Sequence, residues 1–156
     1  QSARLRPRHA GPAPVTAHPP VHAAAVAVRR RGVWKAVLIL GRSGAGKSDL
    51  GLRLIDKGWR LVSDDYTRVW ASGGALYAAA PETIAGRIEA RGVGIVTAST
   101  WPVARVVLAV EAEEAPSERL PEPAARMIAG VAVPLLTLDL KQASAVAKVA
   151  VALQTL

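Results

Sequence analysis

The segment that most constrains this chain is GRSGAGKS, which runs from Gly41 to Ser48. It follows an apolar run at 34–40 and precedes a helix-like segment at 49–57. The segment matches the pattern G-x-x-x-x-G-K-[ST], in which glycines let backbone N–H groups surround a polyphosphate. Because that pattern binds phosphate only between a strand and a helix, the matching context predicts a nucleotide site.

The individual residues of this loop have distinct expected roles. Lys47 is expected to reach the β- and γ-phosphates, and the Ser48 hydroxyl is expected to bind Mg²⁺. The helix that follows would point its positive end at the same anion, and Asp49 is interpreted as an acid favoured by that dipole. The alternative is a glycine-rich turn that binds nothing. The candidate cofactor-binding residues are Gly41, Arg42, Ser43, Gly44, Ala45, Gly46, Lys47 and Ser48.

Composition narrows the class of protein. A length of 156 residues with 51% hydrophobic residues suits one domain with a buried core. The lack of Cys excludes disulfides and zinc–thiolate sites. No apolar run reaches transmembrane length and no secretory signal is recognised, so a cytoplasmic protein without membrane partners is expected.

The net charge of +8 arises in the N-terminal part of the chain. Residues 1–48 contain nine Arg or Lys and no acid, whereas residues 49–156 contain eleven Arg or Lys and twelve Asp or Glu. A nucleic-acid-binding face would combine clustered cations with aromatic residues. The chain has no Phe and its four Trp are scattered, so no nucleic-acid partner is expected.

The pattern of apolar runs and breakers predicts an α/β core with antiparallel additions. Residues 1–20 are expected to form a flexible Ala-, Pro- and Arg-rich tail, and residues 21–156 a single domain. Gly58 is expected to stop the first helix, and Ser144 to cap the last one. The expected strands are 23–28, 34–40, 60–63, 103–112 and 131–138, with a hairpin at 67–71 and 76–80, helices at 47–57 and 144–156, a basic turn at 29–32, a loop at 90–94 and an acidic connection at 111–123.

An acid pair, Asp64-Asp65, follows the predicted strand at 60–63. In P-loop proteins an acid at the end of a neighbouring strand helps to hold Mg²⁺, which makes Asp64 a candidate metal ligand. A second carboxylate near a γ-phosphate could accept the proton of an attacking hydroxyl. Asp is also common in turns, and the residues alone leave both readings of Asp65 open.

Three further side chains are candidates whose chemistry alone does not decide their role. His22 begins the first strand, where a solvated or structural histidine is the commoner case. Glu89 precedes a loop with two glycines, which is either a ligand-approaching loop or an ordinary turn. Arg119 lies in the acidic connection, where a solvated charge is the default.

Together these segments resemble the catalytic domain of the HPr kinase/phosphorylase family, from about Val21 to Leu153. The resemblance implies a phosphoenolpyruvate carboxykinase-like P-loop kinase core with added antiparallel strands. It also implies ATP- and Mg²⁺-dependent phosphorylation of a serine of the phosphocarrier protein HPr, and a homo-oligomer, typically a hexamer. The missing N-terminal domain suggests the short alphaproteobacterial form. The matching segments are VHA at 21–23, GRSGAGKSDL at 41–50, GWRLVSDD at 58–65, IEARGVGIV at 88–96, ERL at 118–120 and VAVPLLTLD at 131–139.

The resemblance also assigns roles by position. Asp65 would accept the seryl proton during phosphorylation and return a proton in the reverse reaction. Segment 88–97 would contribute to both the kinase and the phosphorylase activity. The implied catalytic residues are His22, Lys47, Asp65 and Arg119, and the implied Mg²⁺ ligands are Ser48 and Glu89, beside the candidate Asp64.

The chain departs from the family pattern at three places. Ala23 follows His22 where the family usually has Gly, and the loop at 29–36 is longer. The late loop, used by the family for dephosphorylation and often rich in Pro, Gly and Arg, reads KQASAV at 141–146, so the resemblance favours the kinase over the phosphorylase. The alternatives are a P-loop kinase for a small molecule, for which no Arg-bearing lid is seen, and a non-catalytic nucleotide sensor.

Overall fold

Ten strands and two helices form the protein in the computed structural model, which describes residues 19–115 and 119–156. The predicted tail falls almost entirely on residues 1–18, outside the described residues, as does part of the acidic connection at 116–118. The strands are β1 Ala23–Arg30, β2 Val33–Leu40, β3 Arg60–Ser63, β4 Arg68–Ser72, β5 Ala75–Ala79, β6 Arg87–Ala90, β7 Gly94–Thr97, β8 Val103–Ala112, β9 Ala124–Ile128 and β10 Val131–Leu138; the helices are α1 Lys47–Asp56 and α2 Ala145–Gln154, with a 3₁₀ turn at Glu82–Ile84.

An eight-stranded sheet carries the fold, in the order β3-β1-β2-β8-β10-β9, with β5 also paired to β8 and β4 to β5. Strands β2, β8 and β10 are parallel to one another, and the remaining pairings in this sheet are antiparallel. The predicted α/β core with antiparallel additions is therefore confirmed. The carboxyl ends of the parallel strands meet at one edge, which is where α/β sheets bind ligands.

The central strand β2 is buried on both faces, which explains its unbroken apolar run. Val37 and Ile39 pack on the helix-covered face, together with Leu50 and Leu54 of α1. Leu38 packs on the opposite face among residues of other strands. Because both faces of β2 are covered, the loop that follows Leu40 leaves a rigid strand end.

Neither α1 nor α2, nor any other helix in the described ranges, has the length and apolarity to span a bilayer.

The predicted helix ends are observed in position, and one of them differs in its hydrogen bonding. Gly58 follows α1 with φ 95°, the left-handed conformation typical of a helix stop. Ser144 is the N-cap residue of α2, as predicted, but its side chain makes no capping hydrogen bond. A backbone turn, from Ala145 N–H to Gln142 O at 3.1 Å, leads into this helix instead.

Three strand features differ from the prediction. β6 and β7 form a separate two-stranded hairpin around the loop expected at 90–94. β9 lies just after the acidic connection and escaped prediction because four of its five residues are exposed, which removes the apolar alternation. The basic turn is shorter than expected, since β1 and β2 pair up to Arg30 and Val33 and leave only Arg31-Gly32 between them.

A buried threonine joins the start of β1 to the turn after β3. Thr67 is fully buried, and its hydroxyl donates to Ala23 O at 2.8 Å. Its backbone also pairs with Val21 in both directions, at 2.9 Å each. These three hydrogen bonds hold His22 beside the segment that contains Asp65.

We predict that Thr67→Val lowers the free energy of unfolding by about 1–2 kcal/mol, because a buried hydrogen bond is lost while the side-chain shape is kept. Urea denaturation measures the change. Thr67→Ser retains the hydroxyl and is the control for its loss. Equal destabilisation by both substitutions would contradict a role for this hydrogen bond.

Candidate active site

The P-loop lies between β2 and α1, at the edge where the parallel strands end. Lys47, the first residue of α1, is 7% exposed, and its ammonium donates to Gly41 O at 2.6 Å and Arg42 O at 3.0 Å. Gly46 precedes the helix with φ 100°, a backbone conformation that side chains disfavour. The predicted strand–loop–helix context of the phosphate pattern is therefore present.

Two opposing effects act on the ammonium of Lys47. Burial lowers the pKa of Lys47 from its ordinary value of 10.5, while the carboxylates of Asp65 and Asp64 act in the opposite direction. Loss of water around the charged group is the larger effect. The structure thus brings both members of the acid pair within electrostatic reach of the P-loop lysine.

Asp64 is a buried carboxylate that follows β3 and accepts hydrogen bonds from two other elements, α1 and β6. It is 7% exposed, accepts a hydrogen bond from Ser48 Oγ at 2.6 Å, and accepts another from the Glu89 backbone N–H at 3.1 Å. Glu89 belongs to β6, which packs beside α1, with the Ile88 side chain next to Gly51. The three candidate metal ligands therefore lie together.

These residues fit a Mg²⁺ ion better than a metal held by protein alone. Within the described ranges, no group of three or more His, Asp or Glu side chains is arranged to hold a metal. Mg²⁺ usually takes one or two carboxylates and completes its shell with water and substrate phosphates. One hydroxyl and two carboxylate residues beside a P-loop supply that donor set.

Asp65 occupies a turn and also faces the site, so the two readings of this residue are compatible. Its φ of 65° is left-handed, a conformation that Asp tolerates better than most residues. Its side chain is 62% exposed, and Oδ1 lies 3.1 Å from His22 Nε2. The His22 ring also stacks on Tyr66, with centroids 5.2 Å apart.

Two cavities meet at the P-loop. The Lys47 cavity, of about 390 Å³, brings together eight of the predicted site residues, namely His22, Ser43, Gly44, Gly46, Lys47, Ser48, Asp65 and Glu89. The strand-end cavity, of about 940 Å³, lies beside the start of the P-loop and the ends of β2, β8 and β10. His22, Ser43, Gly44 and Lys141 line both cavities. A molecule bound along the P-loop would therefore contact both spaces.

Two predicted site residues, Asp64 and Arg119, line neither cavity. Asp64 is joined to the site by its hydrogen bond from Ser48, whereas for Arg119 no such contact is found among the described residues. Arg119 is exposed and follows the undescribed residues 116–118. Its catalytic role stays a prediction.

Conversely, two side chains beside the site were not predicted from the sequence as site residues: Tyr66, which stacks on His22, and Lys141, which lines both cavities. Only their position in the sequence, close to recognised motifs, could have indicated that these side chains lie beside the site.

Comparison with known proteins agrees with this geometry. Residues 15–155 match the family model described as HPr Serine kinase C-terminal domain. The chain belongs to this family. Its match to an HPr kinase/phosphorylase of Brevibacillus brevis is 48% identical over 65 residues, covering 41% of this chain and 21% of the relative. A Clostridium kluyveri HPr kinase/phosphorylase is 46% identical over 63 residues, covering 40% and 20%.

These alignments span about a fifth of the length of the curated relatives. Over a much larger part of the chain, the fold is similar to that of the Hpr(Ser) kinase/phosphatase from Coxiella burnetii. That comparison has a TM-score of 0.74 at 23% identity and covers 87% of this chain and 94% of the other. It establishes the mixed α/β fold of this single domain, built on one large sheet.

We predict a pH signature for Lys47. The pKa of Lys47 is lowered in the folded protein, so as the pH rises toward 10.5 the folded protein loses this proton before the unfolded chain does. Because the unfolded chain then binds more protons than the folded protein, the contribution of Lys47 to the free energy of unfolding increases with pH. The difference between wild type and Lys47→Met, measured by urea denaturation from neutral pH upward, should therefore grow in favour of wild type. A constant or falling difference would contradict the burial of a charged amine.

Proposed function

We propose that this chain is the catalytic domain of an ATP- and Mg²⁺-dependent kinase that phosphorylates a serine of HPr. The observation that carries the proposal is the His22–Asp65 pair, with 3.1 Å between Nε2 and Oδ1, in the same cavity as Lys47 and Ser48. Membership of the HPr Serine kinase family supports the choice of substrate. The cytoplasmic location expected from the sequence pattern remains a prediction, as does the homo-oligomer, typically a hexamer, that the family resemblance implies.

The P-loop supplies the phosphate-binding part of this mechanism. Its N–H groups, the N-terminus of α1 and Lys47 would bind the β- and γ-phosphates of ATP. Ser48, Asp64 and Glu89 would hold Mg²⁺, which neutralises charge on the phosphates when bound. In phosphoryl transfer most of the rate acceleration comes from such positioning and electrostatic stabilisation.

Asp65 would provide the proton acceptor. The serine Oγ forms a bond to the γ-phosphorus while the bond from that phosphorus to the β–γ bridging oxygen breaks, ADP leaves, and the seryl proton moves to Asp65. A positioned base of this kind contributes about 10²–10⁴-fold. A carboxylate that accepts a proton in this way only accepts hydrogen bonds, so His22 Nε2 would be the donor in its contact with Asp65. That contact fixes the orientation of the carboxylate.

The exposure of the acceptor favours a protein substrate over a small molecule. Asp65 is 62% exposed and His22 is 38% exposed. A kinase for a small molecule needs a lid to exclude water from such a site, whereas a protein substrate covers the site with its own surface. The non-catalytic alternative gives no reason for a carboxylate and an imidazole to face the phosphate-binding cavity together.

Incubation of the protein with HPr, ATP and Mg²⁺, followed by mass determination of HPr, tests the proposal. We predict a gain of one phosphoryl group with wild type. Asp65→Asn should lower the transfer rate by about 10²–10⁴-fold, because the proton acceptor is lost, with ATP binding nearly unchanged. Adding inorganic phosphate to the phosphorylated product tests phosphorolysis, which would release pyrophosphate.

Asp56→Asn is the matched control, since Asp56 is exposed at the end of α1 and lines neither of the two cavities. It should transfer at the wild-type rate. If Asp65→Asn also transfers at that rate, Asp65 is not the proton acceptor. If wild type binds ATP without modifying HPr, the substrate assignment is wrong.

We also predict that Asp64→Asn raises the Mg²⁺ concentration needed for half-maximal ATP binding by about 10–100-fold, because a charged group next to the metal is lost. A titration with Mg²⁺ at fixed ATP measures this shift, and Asp56→Asn again serves as the control. An unchanged Mg²⁺ requirement would remove Asp64 from the metal site.

A further inference from the structure

Lys141 lies next to Gly46 of the P-loop. It follows β10, in the loop that leads to α2, and it lines both the Lys47 cavity and the strand-end cavity. A Cβ placed on Gly46 would meet Lys141 Cγ at 3.0 Å and Cε at 3.5 Å. The aliphatic part of the Lys141 side chain therefore runs directly over the P-loop backbone.

The backbone around Lys141 is held firmly. Arg53 of α1 donates to Leu140 O, and to Gln142 O at 3.2 Å. The backbone N–H of Lys141 donates to Asp139 Oδ1 at 3.0 Å, and Leu140 is buried. These contacts fix the loop on both sides of Lys141 and orient it toward the P-loop.

The charge of Lys141, in contrast, takes part in no ion pair among the described residues. The side chain is exposed. The Lys47 ammonium already donates to two carbonyls of its own loop. A triphosphate carries more negative charge than Mg²⁺ and one lysine neutralise, so a second cation at this position has a clear electrostatic use.

We propose that Lys141 is a second phosphate-binding cation, which contacts the polyphosphate above Gly46 of the P-loop. The proposal rests on the proposed nucleotide-dependent function but not on the identity of the phosphate acceptor. Its basis is the placement of an unpaired, well-anchored lysine over Gly46 at the junction of the two cavities.

Calorimetric titration with MgATP, in the absence of HPr, tests the proposal. Lys141→Met should raise the Kd by about 10–100-fold, which corresponds to a lost charge-assisted contact, and should weaken the salt dependence of binding. Lys141→Arg keeps the charge and should restore most of the affinity. Lys57→Met removes an exposed lysine that lines neither of the two cavities and should bind like wild type.

The outcomes separate this proposal from the proposed function. A Kd for Lys141→Met equal to that of Lys57→Met would overturn the role of Lys141, whatever happens with HPr. A large increase in Kd, rescued by Lys141→Arg, would support it even if wild type fails to phosphorylate HPr. Failure of wild type to bind MgATP would overturn both.

Discussion

The buried carboxylate of Asp64 is the interaction on which the candidate site depends. It joins the end of β3 to α1 through Ser48 Oγ and to β6 through the Glu89 backbone N–H. A buried carboxylate is costly unless its oxygens are hydrogen-bonded, and here each oxygen has a partner from a different element. The positions of the P-loop serine and of the β6–β7 hairpin are therefore coupled through one side chain.

The two members of the acid pair differ in environment although they are adjacent in sequence. Asp64 is buried at the strand end, whereas Asp65 turns into the left-handed region and is exposed beside His22. One carboxylate is consequently suited to hold a metal in a fixed position, and the other can meet an incoming hydroxyl. The left-handed backbone at a residue other than Gly costs free energy, and the buried hydrogen bonds on both sides of Asp65 keep the turn in place.

The sequence predicted most of this arrangement because the features were local or carried by known motifs. The P-loop needs only strand, turn and helix in succession, and β8 shows an apolar run with the observed bounds. The antiparallel pairing of Val21 with Thr67, which brings His22 to Asp65, joins segments far apart in the chain, and no local pattern indicates it. β9 escaped prediction because its exposed edge lacks an apolar face, and Lys141 because its role depends on how the late loop packs over Gly46.

The open side of the site determines what kind of acceptor it can use. Lys47 and Ser48 line the Lys47 cavity, and Asp64 accepts a hydrogen bond from Ser48. Lys47 and Asp64 are shielded from water, while His22 and Asp65 remain accessible. A phosphoryl group bound to the P-loop would thus be held from inside the domain, and its acceptor would approach from solvent. An attacking hydroxyl on the surface of a folded protein can reach Asp65 without any rearrangement of the sheet. Under the proposed function, water exclusion would then depend on the fit between the two protein surfaces, and phosphoryl transfer would be coupled to docking of the protein substrate.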